Sequence, residues 1–150
     1  MEQDLSLTLQ KLVTVALSLQ GKPYERGAQE QNDVCFDCSS FVQYVFEKVG
    51  VTIPRSTILQ AADAQGKMII PDTNFSTMQV GDLIFMRSDR GYYYDELFDG
   101  KQIYIGHVAM YIGNGEVIHA RKKAGGVIVQ KLKELICEPN YGIVMVKRFF

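Results

Sequence analysis

With 150 residues, 47% of them apolar and 22% charged, and a formal charge of −1, the chain is long enough to bury a core and too apolar to be disordered. The near-neutral charge excludes the basic footprint of a nucleic-acid-binding protein, and no apolar run approaches the roughly eighteen residues of a membrane span. There are no repeats, low-complexity tracts or linkers, which predicts one domain over residues 1–150. Glu2 and Asp4 stand where a signal peptide would be basic, and no continuous apolar stretch or small-residue cleavage site follows. The chain is therefore expected to work in a cytoplasm, to leave by another route, or to have been trimmed of a leader.

In chain order, Leu5, Leu9, Leu12, Val13, Ala16 and Leu17 recur at helical spacing and predict a helix that stops at Gly21, with Pro23 just beyond. Residues 22–36 read as a loop. Phe41, Val42, Val45, Phe46 and Val49 then form a second stripe of helical period, with Asp37 placed to cap its start and Gly50 its end. Cys38 falls in the first turn, where unpaired backbone N–H groups and the helix dipole favour an anion. A thiolate is such an anion, and a cysteine at a helix start can have its pKa drawn below its free value of roughly 8.5. The plain alternative is a small, buried, inert cysteine. After Gly50, Val51–Pro54 reads as extended, then come Arg55 and Ser56 and a helix from Thr57 to Gln65 ended by Gly66.

The pattern changes at Gly81. Asp82–Met86, Ile103–Ile112, Glu116–Ala120, Val127–Leu132 and Ile143–Phe149 read as strands. Strands following a helical first half predict an α+β fold with an antiparallel sheet of about five strands. Between the first two lies a loop, Ser88–Gln102, carrying Tyr92, Tyr93 and Tyr94; its length suggests either a role or a surface insertion.

Both histidines fall in the central hairpin, and strand parity decides whether they cooperate. His107, Ala109 and Tyr111 share one face of their strand. If Gly113, Asn114 and Gly115 form a three-residue loop, Tyr111 opposes Val117 and Ala109 opposes His119, which puts His119 on the face of His107 and diagonal to it. The predicted Cβ separation is then roughly 7 Å. A two-residue Asn114–Gly115 turn would instead send His119 to the opposite face. On one face, the two histidines and Cys38 make a nucleophilic set: Cys38 as the thiolate, His107 as the base, His119 as the group that orients it.

Cys35 and Cys38 also spell a C-x-x-C. With three cysteines and two histidines in the chain, a closed zinc site would consume nearly every ligand. A thioredoxin-like dithiol wants a preceding strand, which the polar run Gln29–Asp33 does not supply. No metal and no cofactor are expected.

The runs Asp37-Cys38-Ser39-Ser40-Phe41-Val42, Ile53-Pro54-Arg55-Ser56, Gly81-Asp82-Leu83-Ile84-Phe85, Gly106-His107-Val108-Ala109-Met110-Tyr111-Ile112-Gly113 and Val117-Ile118-His119-Ala120 together resemble the NlpC-type cysteine peptidases, from about Ala16 to the C-terminus. The resemblance implies a papain-like fold, with N-terminal helices, the nucleophile helix among them, packed on a central antiparallel sheet that carries both histidines. It also implies cleavage of bacterial peptidoglycan stem peptides, typically between D-γ-glutamate and a diamino acid. The chain is expected to act as a monomer. By position Cys38 matches the nucleophile, His107 the base and His119 the third polar residue. Tyr24 matches a tyrosine beside the thiolate, Asp37 and Ser39 match positions lining the substrate site, and Arg55 with Ser56 match a motif at its groove. A chain trimmed of its leader would then act at the cell envelope.

This sequence departs from the family pattern at Ser40, usually glycine, at Arg26-Gly27-Ala28, usually holding a tryptophan–glycine pair, in the Gln29-Glu30-Gln31 loop, at Val80, usually proline, and in the tyrosine-rich insertion. Two other readings stay open: the same catalytic set acting as an amidase, deamidase or acyltransferase on another substrate, and a catalytically silent module that binds cell wall. Asp37 as a helix cap alone and Tyr24 as a packed loop tyrosine are the plain readings at those positions.

Overall fold

The computed structural model describes residues 2–28, 33–89, 91–93 and 95–150; Gln29, Glu30 and Gln31 of the loop and Tyr94 of the insertion lie outside them. The order is α1 (Glu2–Ser18), α2 (Cys38–Glu47), α3 (Thr57–Ala62), β1 (Lys67–Ile69), β2 (Leu83–Met86), β3 (Tyr92–Tyr93), a 3₁₀ turn (Asp95–Phe98), β4 (Tyr104–Ile105), β5 (His107–Gly113), β6 (Glu116–Arg121), β7 (Gly126–Lys131), α4 (Leu132–Ile136) and β8 (Ile143–Arg148). Six strands form an antiparallel sheet in the order β1-β8-β2-β5-β6-β7, with β3 and β4 as a separate ribbon.

The fold is α+β as the sequence predicts, with four local differences. The sheet gains β1, a mostly exposed edge strand without an alternating pattern to mark it. The expected strand Ile103–Ile112 divides at Gly106, whose N–H donates to the Met86 carbonyl at 3.0 Å while β4 leaves to pair with β3. The tail of the Val127–Leu132 run turns into α4. The third helix ends at Ala62 rather than Gln65, because Lys147 of β8 donates to the carbonyls of Ala61 and Asp63 and caps it there.

Strand parity splits the core. Val108 and Met110 of β5 pack with Phe41, Val42, Val45 and Phe46 of α2, while Ala109 and Tyr111 pack with Leu132 and Leu135 of α4 on the other face. α1 covers the first cluster with Leu12 and Ala16; Leu5 and Leu17 of its expected stripe are exposed. Asp82, fully buried, accepts from Arg148 Nε at 2.8 Å and Nη2 at 2.9 Å, fastening the start of β2 to the end of β8.

The turn between the histidine strands differs instructively from expectation. Asn114 and Gly115, at φ +53 and +74, make a two-residue turn closed by Gly113 opposite Glu116. That alone would put His119 on the wrong face. A bulge between Tyr111 and Gly113 inserts one extra residue, so Tyr111 opposes Val117 and Met110 opposes Ile118. The two odd features cancel, and the pairing equals that of the three-residue loop.

Candidate active site

Cys38 is the first residue of α2. Asp37 caps that helix: its Oδ1 accepts from the Ser40 N–H at 2.8 Å while Ser40 Oγ accepts from the Asp37 N–H at 3.0 Å, a closed capping box. Ser40, where the resembled family usually has glycine, thus supplies half of the box.

The Asp37 carboxylate is also gripped from outside the helix. It accepts from the Gly27 N–H at 3.0 Å and from both terminal nitrogens of Arg55, at 2.7 and 3.1 Å. Arg55 in turn donates to Ser39 Oγ at 2.9 Å and to the Ala28 carbonyl at 2.7 Å. One guanidinium therefore ties the loop before α2, the first turn of α2 and the approach to α3 into one wall. Ser56 caps α3, and Thr57 Oγ1 lies 3.5 Å from Cys38 Sγ.

Tyr24 reaches the site by extending the sheet. Its N–H donates to the Gly125 carbonyl at 2.9 Å, the Val127 N–H donates to Lys22, and the Phe36 N–H donates to Pro23, so the strip 22–24 lies between the start of β7 and the lead-in to α2. Gly126 permits this approach, since a Cβ there would collide with the Lys22 carbonyl.

Tyr24, Asp37, Cys38, Ser39, Arg55, Ser56 and His107 line one open groove of about 870 Å³. His119 does not reach it. It lies behind His107, fully buried, with its Nδ1 2.7 Å from His107 Nε2 and the rings edge to face at 5.0 Å. His107 opens β5, at the end of the sheet, and this lets residues of opposite sheet faces share a groove: α2 lies over one face, the histidines on the other.

The electrostatics differ from the expectation for Cys38. Burial pushes its thiol up, and the Asp37 charge adds to that; the Thr57 hydroxyl and the Val108 and Ser39 N–H groups act downward without prevailing. Burial, with help from His119 and Arg121, drives the His107 pKa well below its usual value. Burial likewise brings His119 down to about 4, against its hydrogen bond to the Gln130 oxygen. Burial also pushes Tyr24 up to about 12, with the Cys38 and Asp37 charges adding to it. Asp37 goes the other way: burial would raise it, but the Arg55 and Ser40 hydrogen bonds hold it below the usual carboxylate range. In the ligand-free site both shifts favour the uncharged forms of Cys38 and His107, which line the same groove.

Four groups around the site are absent from the sequence reading. Thr57 touches Cys38 directly. Gln130 accepts from His119 Nε2 at 3.0 Å. Tyr141 stands edge-on to the His107 ring at 5.6 Å, and Arg121 lies over Tyr141 at 5.0 Å. Gln130 alone had a usable signal, since it shares a strand face with Ile128, the residue opposite His119. Cys35 and Cys38 are not joined by a disulfide, and Cys35 Sγ donates to Glu25 Oε2 at 2.9 Å.

The sequence model of the NlpC/P60 family matches residues 21–146. The chain is 34% identical over 101 residues to the "Probable endopeptidase p60" of Listeria seeligeri, covering 67% of this chain and 15% of that protein. It is 30% identical over 115 residues to the γ-D-glutamyl-L-lysine dipeptidyl-peptidase of Bacillus subtilis, covering 77% of this chain and 33% of that one. Among solved structures it is similar to the peptidoglycan hydrolase RipB of Mycobacterium tuberculosis, with a TM-score of 0.69 at 26% identity, over 100% of this chain and 68% of RipB. The chain spans well under half the length of these curated relatives. Between the matched residues and the shared architecture, the conclusion is that this chain belongs to the NlpC/P60 family.

Proposed function

We propose that the chain is a cysteine peptidase that hydrolyses peptidoglycan stem peptides at the bond between D-γ-glutamate and a diamino acid. The observation that carries this reading is that Cys38, at the start of α2, and His107, at the start of β5, line one groove, with His107 bonded on its far side to His119. Family membership supports the reaction class, and the names of the Bacillus subtilis and Mycobacterium tuberculosis proteins support the substrate.

In this reading the Cys38 thiol gives its proton to His107 as its sulfur attacks the amide carbonyl. The tetrahedral oxyanion accepts from the Cys38 N–H, with Tyr24 beside it; one such donor contributes roughly 3 kcal/mol to the transition state. The His107 imidazolium protonates the leaving amine, and the C–N bond breaks to leave a thioester on Cys38. Water then attacks the thioester, giving one proton to His107, and the thiol is restored. His119 orients His107 throughout. Asp37, Ser39, Arg55 and Ser56 form the wall against which the peptide lies.

Digestion of purified muropeptides, with products identified by mass spectrometry, tests the proposal. The expected products are separated at the γ-glutamyl amide. Intact muropeptides with an active thiol would assign the same machinery to another amide or ester.

A further inference from the structure

Behind His119 the polar contacts continue in one direction. Gln130 Oε1 is 3.0 Å from His119 Nε2 and accepts from Arg121 Nη1 at 3.4 Å, while Gln130 Nε2 donates to Glu138 Oε2 at 3.2 Å. Arg121 Nη2 closes the ring by donating to Glu138 Oε1 at 2.6 Å. Arg121 is nearly buried, with 8% of its side chain exposed, and its guanidinium lies over Tyr141, whose ring also braces His107.

Each group in this ring constrains the next. A guanidinium only donates, and a carboxylate at neutral pH only accepts. The Gln130 amide, flanked by one of each, has a single satisfactory orientation. Turned over, its NH₂ would face the Arg121 donor and its oxygen would face the Glu138 carboxylate, two repulsive contacts in place of two hydrogen bonds. With Gln130 Oε1 held toward His119, the proton of neutral His119 must sit on Nε2, which leaves Nδ1 as an acceptor. His107 Nε2, 2.7 Å from that Nδ1, must then carry the proton of His107. The nitrogen left with a free lone pair is His107 Nδ1.

We propose that Gln130, locked by the Arg121–Glu138 pair, sets the tautomers of both histidines and so makes His107 Nδ1 the proton acceptor for Cys38. Gln130, Arg121 and Glu138 are positioning residues. No proton travels along the ring: the S–H bond breaks, an N–H bond forms at His107 Nδ1, and His107 Nε2 keeps its proton while donating to His119. The part concerning Cys38 rests on the proposed cysteine peptidase reading; the tautomer assignment does not.

Nitrogen-15 NMR of the imidazoles in the full chain at neutral pH tests the assignment without substrate. Both histidines are expected as Nε2–H tautomers in the unaltered protein. Gln130→Leu should shift the His119 resonances toward a tautomer mixture, and Glu138→Gln, at a partly exposed position, should do so less. The exchanged pair Gln130→Glu with Glu138→Gln, which again places an obligate acceptor toward His119, should restore the single tautomer. A His119 proton on Nδ1 in the unaltered chain, or an unshifted His119 in Gln130→Leu, overturns the proposal. Cys38 alkylation by iodoacetamide should slow about tenfold or more in Gln130→Leu; in serine hydrolase triads a wrong histidine tautomer lowers turnover by roughly 10⁴. Correct tautomers in a chain that leaves muropeptides uncut would refute the substrate reading alone.

Discussion

Arg55 meets Asp37 with both of its terminal nitrogens, Nη2 to Oδ2 at 2.7 Å and Nη1 to Oδ1 at 3.1 Å, immediately before the residue that carries the thiol. The cap of the Cys38 helix is thereby clamped to the segment that leads into α3. Lysine offers a single point of charge and cannot span both oxygens. Arg55→Lys should lower stability by about 1.5–3 kcal/mol, the range for a hydrogen bond to a charged group, and should weaken substrate binding. Thermal unfolding measures the first effect and KM the second; an unchanged melting temperature would show that the clamp is dispensable.

The two thiols of the C-x-x-C stand in different surroundings. Cys35 is 7% exposed and bonded to Glu25, whereas Cys38 lines the groove. Cys38→Ala and His107→Ala should each reduce muropeptide turnover by on the order of 10³-fold or more, and Cys35→Ser should keep most of it. His119→Ala should fall between them, since its proposed role is to orient His107 and not to transfer a proton. An inactive Cys35→Ser protein alongside an active Cys38→Ala one would exchange the two assignments.

Acid should destabilise the fold through its buried histidines. The unfolded chain takes up a proton on His119 near 6.5, the folded chain only near 4, because burial disfavours the imidazolium. Between those values the unfolded state binds more protons, so this part of the stability is complete above 6.5 and is lost as the pH falls toward 4. A displacement of that size corresponds to about 3 kcal/mol, and His107, lowered by the same cause, acts in the same direction. The Asp37–Arg55 clamp adds a loss at still lower pH, as a depressed carboxyl does. Urea unfolding at neutral pH and near pH 4.5 should show the decline, with a shallower slope in His119→Gln; parallel slopes would remove His119 from the explanation.

The bulge that aligns the histidines depends on Gly113, whose φ of +96 disfavours any side chain. A Cβ there would meet only Val80 at 3.5 Å, so the strain of substitution is conformational and not steric contact. Gly113→Ala should destabilise the fold by about 1–2 kcal/mol. If the hairpin answers by slipping into its bulge-free register, His119 turns to the other face and its bond to His107 is lost. Loss of coupling between the two imidazole NMR signals would report the slip, while full stability would show the bulge unstrained by a side chain.

The sequence alone carried the α+β class, the cap and stripe of the Cys38 helix, and the strand positions of His107 and His119, because local periodicity and capping chemistry are written in neighbouring residues. The equal standing of the histidines on one face was reached from the sequence through a three-residue loop, whereas the chain uses a two-residue turn and a bulge. Parity constrains the sum of the two, not their division. The direction of the Cys38 shift was out of reach, since a helix start favours the thiolate but the burial opposing it comes from distant segments. Thr57, Arg121, Glu138 and Tyr141 were out of reach for the same reason. They meet the catalytic candidates from other elements, and only the register of β6 on β7, the short α4 and the return to β8 bring them together. Hydrogen-bond direction between such groups is a property of the folded neighbourhood, not of any stretch of chain.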